Sequence, residues 1–198
     1  MIRKHVSSVS GNYVIDPDGE GGLTPLTVYC DMADKNGAGV TVISHDSESR
    51  TKARDGLGWG DRGSYSSKIH CNRAIFYQLA SLTRVSLHCE QFIKYECYNS
   101  IIFRNGGYAW WVSRDSSKMT YWDGASVSGK CACGMTNSCA DPRYGCNCDK
   151  NDNVWREVSG LLTDKTKLPV KQLRFGNAGS AGDIGYHTLG KLNCYGTT

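Results

Sequence analysis

Five cysteines fall within the 21 residues from Gly129 to Asp149, in the stretch GKCACGMTNSCADPRYGCNCD. Such a group of thiols can bind a metal ion, perform redox chemistry or form disulfides. Zinc sites and redox centres favour C-x-x-C spacing. Here the pairs are C-x-C, at Cys131/Cys133 and Cys146/Cys148, and the stretch contains no histidine. Because C-x-C spacing places neighbouring thiols on opposite faces of an extended chain, the pattern favours disulfides over a metal or redox site.

The whole cysteine set supports the same interpretation. The chain has ten cysteines in 198 residues, an even number that is typical of disulfide frameworks in oxidising compartments. We therefore expect all ten to form disulfides: Cys30, Cys71, Cys89, Cys97, Cys131, Cys133, Cys139, Cys146, Cys148 and Cys194. The first residues, MIRKHVSSVS, lack the apolar segment of a secretory signal. We interpret the chain as a piece of a larger extracellular protein, with residues 1–9 as a tag or linker and residues 10–198 as one domain.

Charge and motifs argue against several classes of function. The net charge is +4, with 23 basic residues scattered among 19 acidic ones, and no nucleic-acid-reading motif is present. No apolar run reaches the roughly 18 residues of a membrane span. Catalytic signatures are missing, and His88 beside Cys89 would point to opposite faces of a strand. We expect neither nucleic-acid binding, nor membrane insertion by this segment, nor enzyme activity.

Hydrophobic alternation predicts many short strands and one helix. The helix covers residues 72–82, with Asn72 as N-cap and Ile75, Leu79 and Leu82 on its buried face. The residues from Ser47 to Tyr65 are polar and glycine-rich, which predicts a long loop. Strands are predicted at residues 10–16, 26–32, 39–45, 91–97, 108–113, 119–122, 168–176 and 189–196. The fold class is α+β, with an antiparallel sheet, few short helices and long disulfide-linked loops.

Several stretches carry a family resemblance. SGNYVIDPDGEGGLTPLTVYCDM resembles the opening of a fibrinogen-related domain. LHCEQFIKYECYNS, YAWWVSRDSSKMTYWDG, KCACGMTNSCADPRYGCNCD and GLLTDKTKLPV resemble the fibrinogen-like region of contactin-associated proteins and related neurexin-type adhesion proteins. YECYNS, KLPV and the last cysteine, Cys194, also resemble the fibrillar collagen C-propeptide. The resemblance implies a twisted antiparallel fibrinogen-like fold and an adhesion function.

The resemblance also suggests disulfide pairings. The cysteine that precedes S-G-x-Y in fibrinogen-related domains, and pairs with the position of Cys30, is absent here, so we expect Cys30 to pair with Cys71. The collagen-propeptide resemblance suggests pairing Cys97 with Cys194. The C-terminal element of the lectin branch, the ficolins and tachylectins, is not found, and its acetyl-group pocket is therefore not carried over.

Two loops are candidate calcium sites. DPDGEGG offers Asp16, Asp18 and Glu20, and the resemblance to collagen propeptides places the two aspartates at ligand positions. The alternative is a turn chosen for its backbone angles. The second loop has Asp149, Asn151 and Asn153 in D-x-N-x-N spacing, although its later residues do not match an EF-hand. A solvated loop is the alternative there.

Aromatic residues form a further candidate site. Tyr108, Trp110, Trp111, Tyr121 and Trp122 lie on two adjacent predicted strands. Aromatic faces can stack on sugars or anchor a protein partner, but alternating tryptophans more often belong to a core. We expect core positions, with one ring exposed.

Three functions remain open at this point. The first is a recognition and adhesion module that binds an extracellular protein through loops made rigid by disulfides. The second is a calcium-dependent glycan-binding lectin, and the third is an oligomerisation domain of a longer matrix protein.

Overall fold

The computed structural model describes residues 9–54, 61–71, 74–179 and 182–197. Within these ranges, strands form two antiparallel sheets. The strands are β1 (Gly11–Ile15), β2 (Leu26–Asp31), β3 (Val40–Ile43), β4 (Thr51–Ala53), β5 (Tyr65–Lys68), β6 (Ser86–Tyr98), β7 (Trp110–Val112), β8 (Lys118–Met119), β9 (Arg156–Leu162), β10 (Gln172–Phe175) and β11 (Ile184–Thr197). The first sheet has the order β1-β2-β3-β11-β6-β9, with β4 also paired to β11, and the second has the order β5-β10-β7-β8. The predicted β-rich antiparallel architecture is confirmed, whereas the expected residues 1–9 linker lies almost entirely outside the described residues.

Helix α1 (Phe76–Val85) is the predicted helix, displaced along the chain. Its predicted N-cap, Asn72, lies outside the described residues. The helix begins after Ile75, whose backbone N–H donates to the Gln78 side chain at 3.0 Å. Ile75 therefore occupies the N-cap position and is half exposed, contrary to its predicted place on the buried face. Leu79 and Leu82 are buried as predicted. A second helix, α2 (Ala132–Met135), is a single turn, and no helix among the described residues is both long and apolar enough to cross a membrane.

Three strands were not predicted. The predicted loop from Ser47 to Tyr65 contains β4 and ends in the first residue of β5, and its residues 55–60 are outside the described ranges. β9 was also missed. These strands lack a strong local alternation and owe their extended form to neighbours: β4 pairs with β11 through Lys52 and Tyr186, and β9 lies along β6.

The core lies between the two sheets and is centred on Phe175 of β10. Its ring stacks between Tyr95 of β6, with ring centroids 4.5 Å apart, and His187 of β11, with centroids 5.4 Å apart. Trp122 meets the Phe175 ring edge-on at 5.8 Å. All four side chains are buried. A single aromatic residue of the second sheet thus joins it to the two central strands of the first.

The disulfides correct both suggested pairings. All ten cysteines are described, and eight of them form the pairs Cys89–Cys194, Cys97–Cys148, Cys131–Cys146 and Cys133–Cys139. Cys97 cannot reach Cys194, because the register of β6 and β11 places Cys194 opposite Cys89 and Cys97 opposite Gly185. Eight residues of strand separate the two positions, or roughly 26 Å.

Cys30 and Cys71 are free thiols, which contradicts the expectation that they pair. Cys30 lies opposite Thr41 of β3, whereas Cys71 forms an isolated β-bridge with His45. His45 is four residues beyond Thr41 in the same extended segment. An extended segment of that length spans roughly 13 Å, about twice the Cα separation that a disulfide allows. Burial raises the pKa of the Cys71 thiol to about 11.

Two buried titratable groups are expected to give opposite pH dependences of stability. Burial lowers the pKa of His187 to about 4, so folding stability is lost as the pH falls from about 6.5 towards 4. Burial raises the pKa of Asp123 to about 6, so stability is lost as the pH rises from about 4 towards 6. Each contribution amounts to about 3 kcal/mol, and the two nearly cancel.

Urea unfolding at pH 4.5, 5.5 and 6.5 tests this cancellation. We expect the stability of the His187→Phe variant to fall with rising pH, because the opposing contribution of His187 is removed and that of Asp123 remains. The stability of the Asp123→Asn variant should rise with rising pH, because the contribution of His187 remains. Because the readout is the slope against pH, a general loss of stability in either variant does not affect it. Identical slopes in both variants and the unmodified chain would contradict the prediction.

Candidate functional site

The cysteine-rich segment is an irregular layer that disulfides attach to the first sheet. Cys131–Cys146 and Cys133–Cys139 close loops within the segment, and Cys97–Cys148 joins it to β6. Gly134 and Gly145 allow two close backbone contacts, since a side-chain carbon on either would collide with a backbone carbonyl. The segment is therefore held by covalent links and backbone packing rather than by regular secondary structure.

Asp149 fixes the end of this segment. Its side chain is buried, and Oδ1 accepts hydrogen bonds from the backbone N–H groups of Ile102 at 2.8 Å and Phe103 at 3.0 Å. Burial raises the pKa of the Asp149 carboxyl, and these backbone hydrogen bonds oppose that shift. The carboxylate, together with the adjacent Cys97–Cys148 disulfide, determines where the following loop leaves the core.

The loop of residues 149–155 is also braced along its length. Arg156 donates two hydrogen bonds to the Asp152 carboxylate, at 3.0 and 2.7 Å, and the backbone N–H of Asn99 donates to the Asp152 carbonyl at 3.2 Å. The Arg156 guanidinium lowers the pKa of Asp152. These contacts tie the loop to the end of β6 on one side and to the start of β9 on the other.

At the end of this loop lies an exposed aromatic surface, which we call the Trp155 surface and define as Trp155, Tyr98, Tyr186 and Arg50. Trp155 is 50% exposed, and its ring centroid lies 5.5 Å from that of Tyr98 and 6.0 Å from that of Tyr186. The Arg50 guanidinium stacks on Tyr186, 3.5 Å from the ring centroid. Arg50 also donates to Glu96 at 2.8 Å, which fixes the orientation of the guanidinium.

The composition of this surface is that of a protein-binding hot spot. Tryptophan, tyrosine and arginine are the residue types that contribute most to binding energy at protein interfaces. Here they lie on the face of the first sheet that points away from the core, since Tyr186 and Glu96 alternate along their strands with the buried His187 and Tyr95. Trp155 was not among the residues predicted from the sequence; the signal was the apolar pair Val154 and Trp155 directly after the polar loop that follows Cys148.

The first predicted calcium loop forms a hydrogen-bonded turn. Asp16 Oδ1 accepts from the Gly19 backbone N–H at 3.1 Å, and Asp18 Oδ2 accepts from that of Leu23 at 2.7 Å. The Leu23 hydrogen bond lowers the pKa of Asp18. The other oxygen, Asp18 Oδ1, is buried and has no hydrogen-bond partner among the described residues.

In the second predicted calcium loop, Asp149 points into the core, whereas Asn151 and Asn153 are exposed. Within the described ranges, no three His, Cys, Asp or Glu side chains are arranged to hold one metal ion. Asparagine oxygens also bind calcium, and a calcium ion at either loop stays a prediction.

The predicted aromatic group divides between core and surface. Trp111 and Trp122 are buried, and the Trp111 indole N–H donates to the Tyr121 carbonyl at 2.9 Å. Tyr121 and Trp110 are half-buried. Of the predicted group, Trp110 lies on the outer face of the second sheet, away from the Trp155 surface.

No catalytic arrangement emerges at the adjacent pair His88 and Cys89. Cys89 is in a disulfide with Cys194, so it has no thiol to act as a nucleophile. The His88 ring lies against Tyr195, with centroids 5.2 Å apart.

Comparison with known proteins gives close matches to one part of much longer chains. No known family model matches the chain. The chain is 37% identical over 191 residues to contactin-associated protein 1 of Rattus norvegicus, and 36% identical over 191 residues to that of Homo sapiens; each match covers 94% of this chain. It is 35% identical over 195 residues, 93% of its length, to neurexin-4 of Drosophila melanogaster. The chain spans only 13–15% of the length of these curated relatives. It is therefore a homologue of one segment of contactin-associated protein 1 and neurexin-4, and a domain of that type.

Proposed function

We propose that this chain is a non-enzymatic extracellular recognition module that binds a protein ligand through the Trp155 surface. The observation that carries the proposal is a half-exposed tryptophan flanked by two tyrosines and a stacked arginine, on a loop held by a disulfide. A rigid loop loses less conformational entropy when it docks, so more of the contact energy remains as affinity.

The extracellular location is supported by the cysteines. Eight of ten form disulfides, and such bonds persist in oxidising compartments. We also propose a fibrinogen-like fold, which the two antiparallel sheets and the disulfide-linked loops support. One relative is named for its association with contactin, which makes a contactin ectodomain the first ligand to test.

Replacing Trp155 with alanine should weaken ligand binding by about 30-fold or more, the effect of removing a hot-spot residue. Its ring is half exposed, so the free energy of unfolding should change little. The measurement is titration of the purified chain against the ectodomain by surface plasmon resonance, with urea unfolding of each variant in parallel.

Tyr77→Ala is the matched control, because Tyr77 is a 78% exposed aromatic residue on α1, outside the Trp155 surface. Equal weakening by both substitutions, or by neither, would contradict the assignment of the Trp155 surface.

Repeating the titration in chelator tests the calcium alternative: loss of binding that Asp18→Asn reproduces would support a metal at Asp16 and Asp18. Light scattering on the same samples tests the oligomerisation alternative, which requires an oligomer of the isolated chain.

A further inference from the structure

The second sheet carries a cleft lined by basic side chains on its outer face. It has a volume of about 550 Å³ and we call it the basic cleft, defined by Lys68, Trp110, Lys118, Lys171 and Arg174. None of the described lining residues is acidic, and the one lining histidine, His70, is already paired with Asp46 at 2.8 Å. The cleft is therefore strongly positive.

Strand alternation places these side chains together. Lys68, Gln172, Val112 and Lys118 form one row across the four strands, and Ser66, Arg174 and Trp110 form the next. The residues between them, such as Leu173, Phe175 and Trp111, point to the core and are buried. Three strand spacings separate Lys68 from Lys118, so the row is roughly 15 Å long. The cleft is thus an elongated array on a rigid sheet.

The four cations of the basic cleft have no acidic partner in the part of the chain that the structure describes. Ion pairs join many other basic side chains of the described residues to carboxylates, but none of these pairs involves Lys68, Lys118, Lys171 or Arg174. Lys118 Nζ instead lies 3.8 Å from the centroid of the Trp110 ring, and Lys171 Nζ donates to Ser116 Oγ at 2.8 Å.

The Arg174 guanidinium contributes to the cleft a hydrogen-bond donor that no described residue satisfies. Its Cζ lies 5.8 Å from the Trp110 ring centroid, and its Nε is buried without a hydrogen-bond partner among the described residues. A buried donor without an acceptor is costly, and reorientation of the Arg174 side chain towards an anionic oxygen in the cleft would satisfy it.

We propose that the basic cleft binds a sulfated glycan chain without a metal ion. Sulfate groups spaced along a linear glycan match an elongated row of cations, and arginine and lysine bind such oxygens through charge-assisted hydrogen bonds. An extended acidic peptide that adds to the sheet as a strand would pair with the edge strand β5 or β8, not lie across the face of the central strands β10 and β7. The choice of a glycan over a nucleic acid rests on the extracellular location proposed above, whereas the anion site rests on the cleft alone.

Isothermal titration with size-defined heparin oligosaccharides, in chelator, tests this proposal on the full 198-residue chain. We expect binding that weakens as salt is added, because added ions screen the charges. The double variant Lys118→Gln/Arg174→Gln should bind at least about tenfold more weakly, through the loss of two charged contacts. The double variant Arg54→Gln/Lys191→Gln removes the same charge from exposed positions outside the cleft and should bind as the unmodified chain does.

Equal losses in the two double variants would show attraction by net charge alone and would overturn the assignment. Poly-glutamate binding as tightly as heparin would favour an acidic peptide and would also overturn it. Trp155→Ala should leave heparin binding unchanged, so a failure of the protein-ligand proposal can be distinguished from a failure of this one.

Discussion

Removing the Cys97–Cys148 disulfide by replacing both residues with alanine is expected to lower the free energy of unfolding by about 4 kcal/mol. The bond closes a loop of 51 residues, and its loss frees the unfolded chain to adopt many more conformations. Both cysteines are buried, and the bond joins the cysteine-rich segment to β6. Urea unfolding of the purified variant measures the change.

The Cys133–Cys139 disulfide provides the matched control, because it spans only 6 residues within the same segment. Its removal should lower the free energy of unfolding by about 2 kcal/mol. The two variants should also differ in ligand binding: the first releases the loop that presents Trp155, and the second leaves that anchor intact. Equal losses of stability and of binding in the two variants would show that the Cys97–Cys148 bond has no special role in holding the loop.

Phe175→Ala is expected to lower the free energy of unfolding by about 3–5 kcal/mol, as for other fully buried phenylalanines. The Phe175 ring is stacked between Tyr95 and His187, so its removal leaves a cavity that the two central strands cannot close. It would also separate the second sheet from the first. Urea unfolding followed by tryptophan fluorescence measures the change, since Trp111 and Trp122 are buried near this contact.

Phe92→Ala is the control for this substitution. Phe92 lies on β6, and 37% of it is exposed on the outer face of the first sheet. Its removal should lower the free energy of unfolding by about 1 kcal/mol. If Phe92→Ala were as destabilising as Phe175→Ala, the core would not be centred on the contact between the two sheets.

The strands that could be predicted are those whose own residues alternate. In β2, Leu26, Val28 and Cys30 are buried while the residues between them are not, and the pattern is visible in the sequence. The short β4 and the long β9 show no such pattern and are extended because a neighbouring strand provides their hydrogen bonds. The helix was predicted from its apolar spacing, but its start was misplaced because the Gln78 side chain caps Ile75.

The candidate sites also divide into residues whose burial could be predicted from the sequence and residues that only the tertiary structure brings together. Core positions were expected for the tryptophans of the aromatic group, and Trp111 and Trp122 are buried. The Trp155 surface could not be found in that way, because Tyr98, Trp155 and Tyr186 come from three separate parts of the chain. The basic cleft likewise gathers Lys68, Lys118 and Arg174 from three strands that only the sheet order brings onto one face.

Local patterning predicted disulfides, which eight of the ten cysteines form, and a chain rich in antiparallel strands. C-x-C spacing and alternation act over two or three residues, so their consequences do not depend on the rest of the fold. Which cysteines pair, which tryptophan is exposed and which cations share a cleft depend on the register of strands that lie up to 105 residues apart in sequence, as Cys89 and Cys194 do. Register is decided by how the complete set of side chains packs between the two sheets, and only the tertiary structure contains that information.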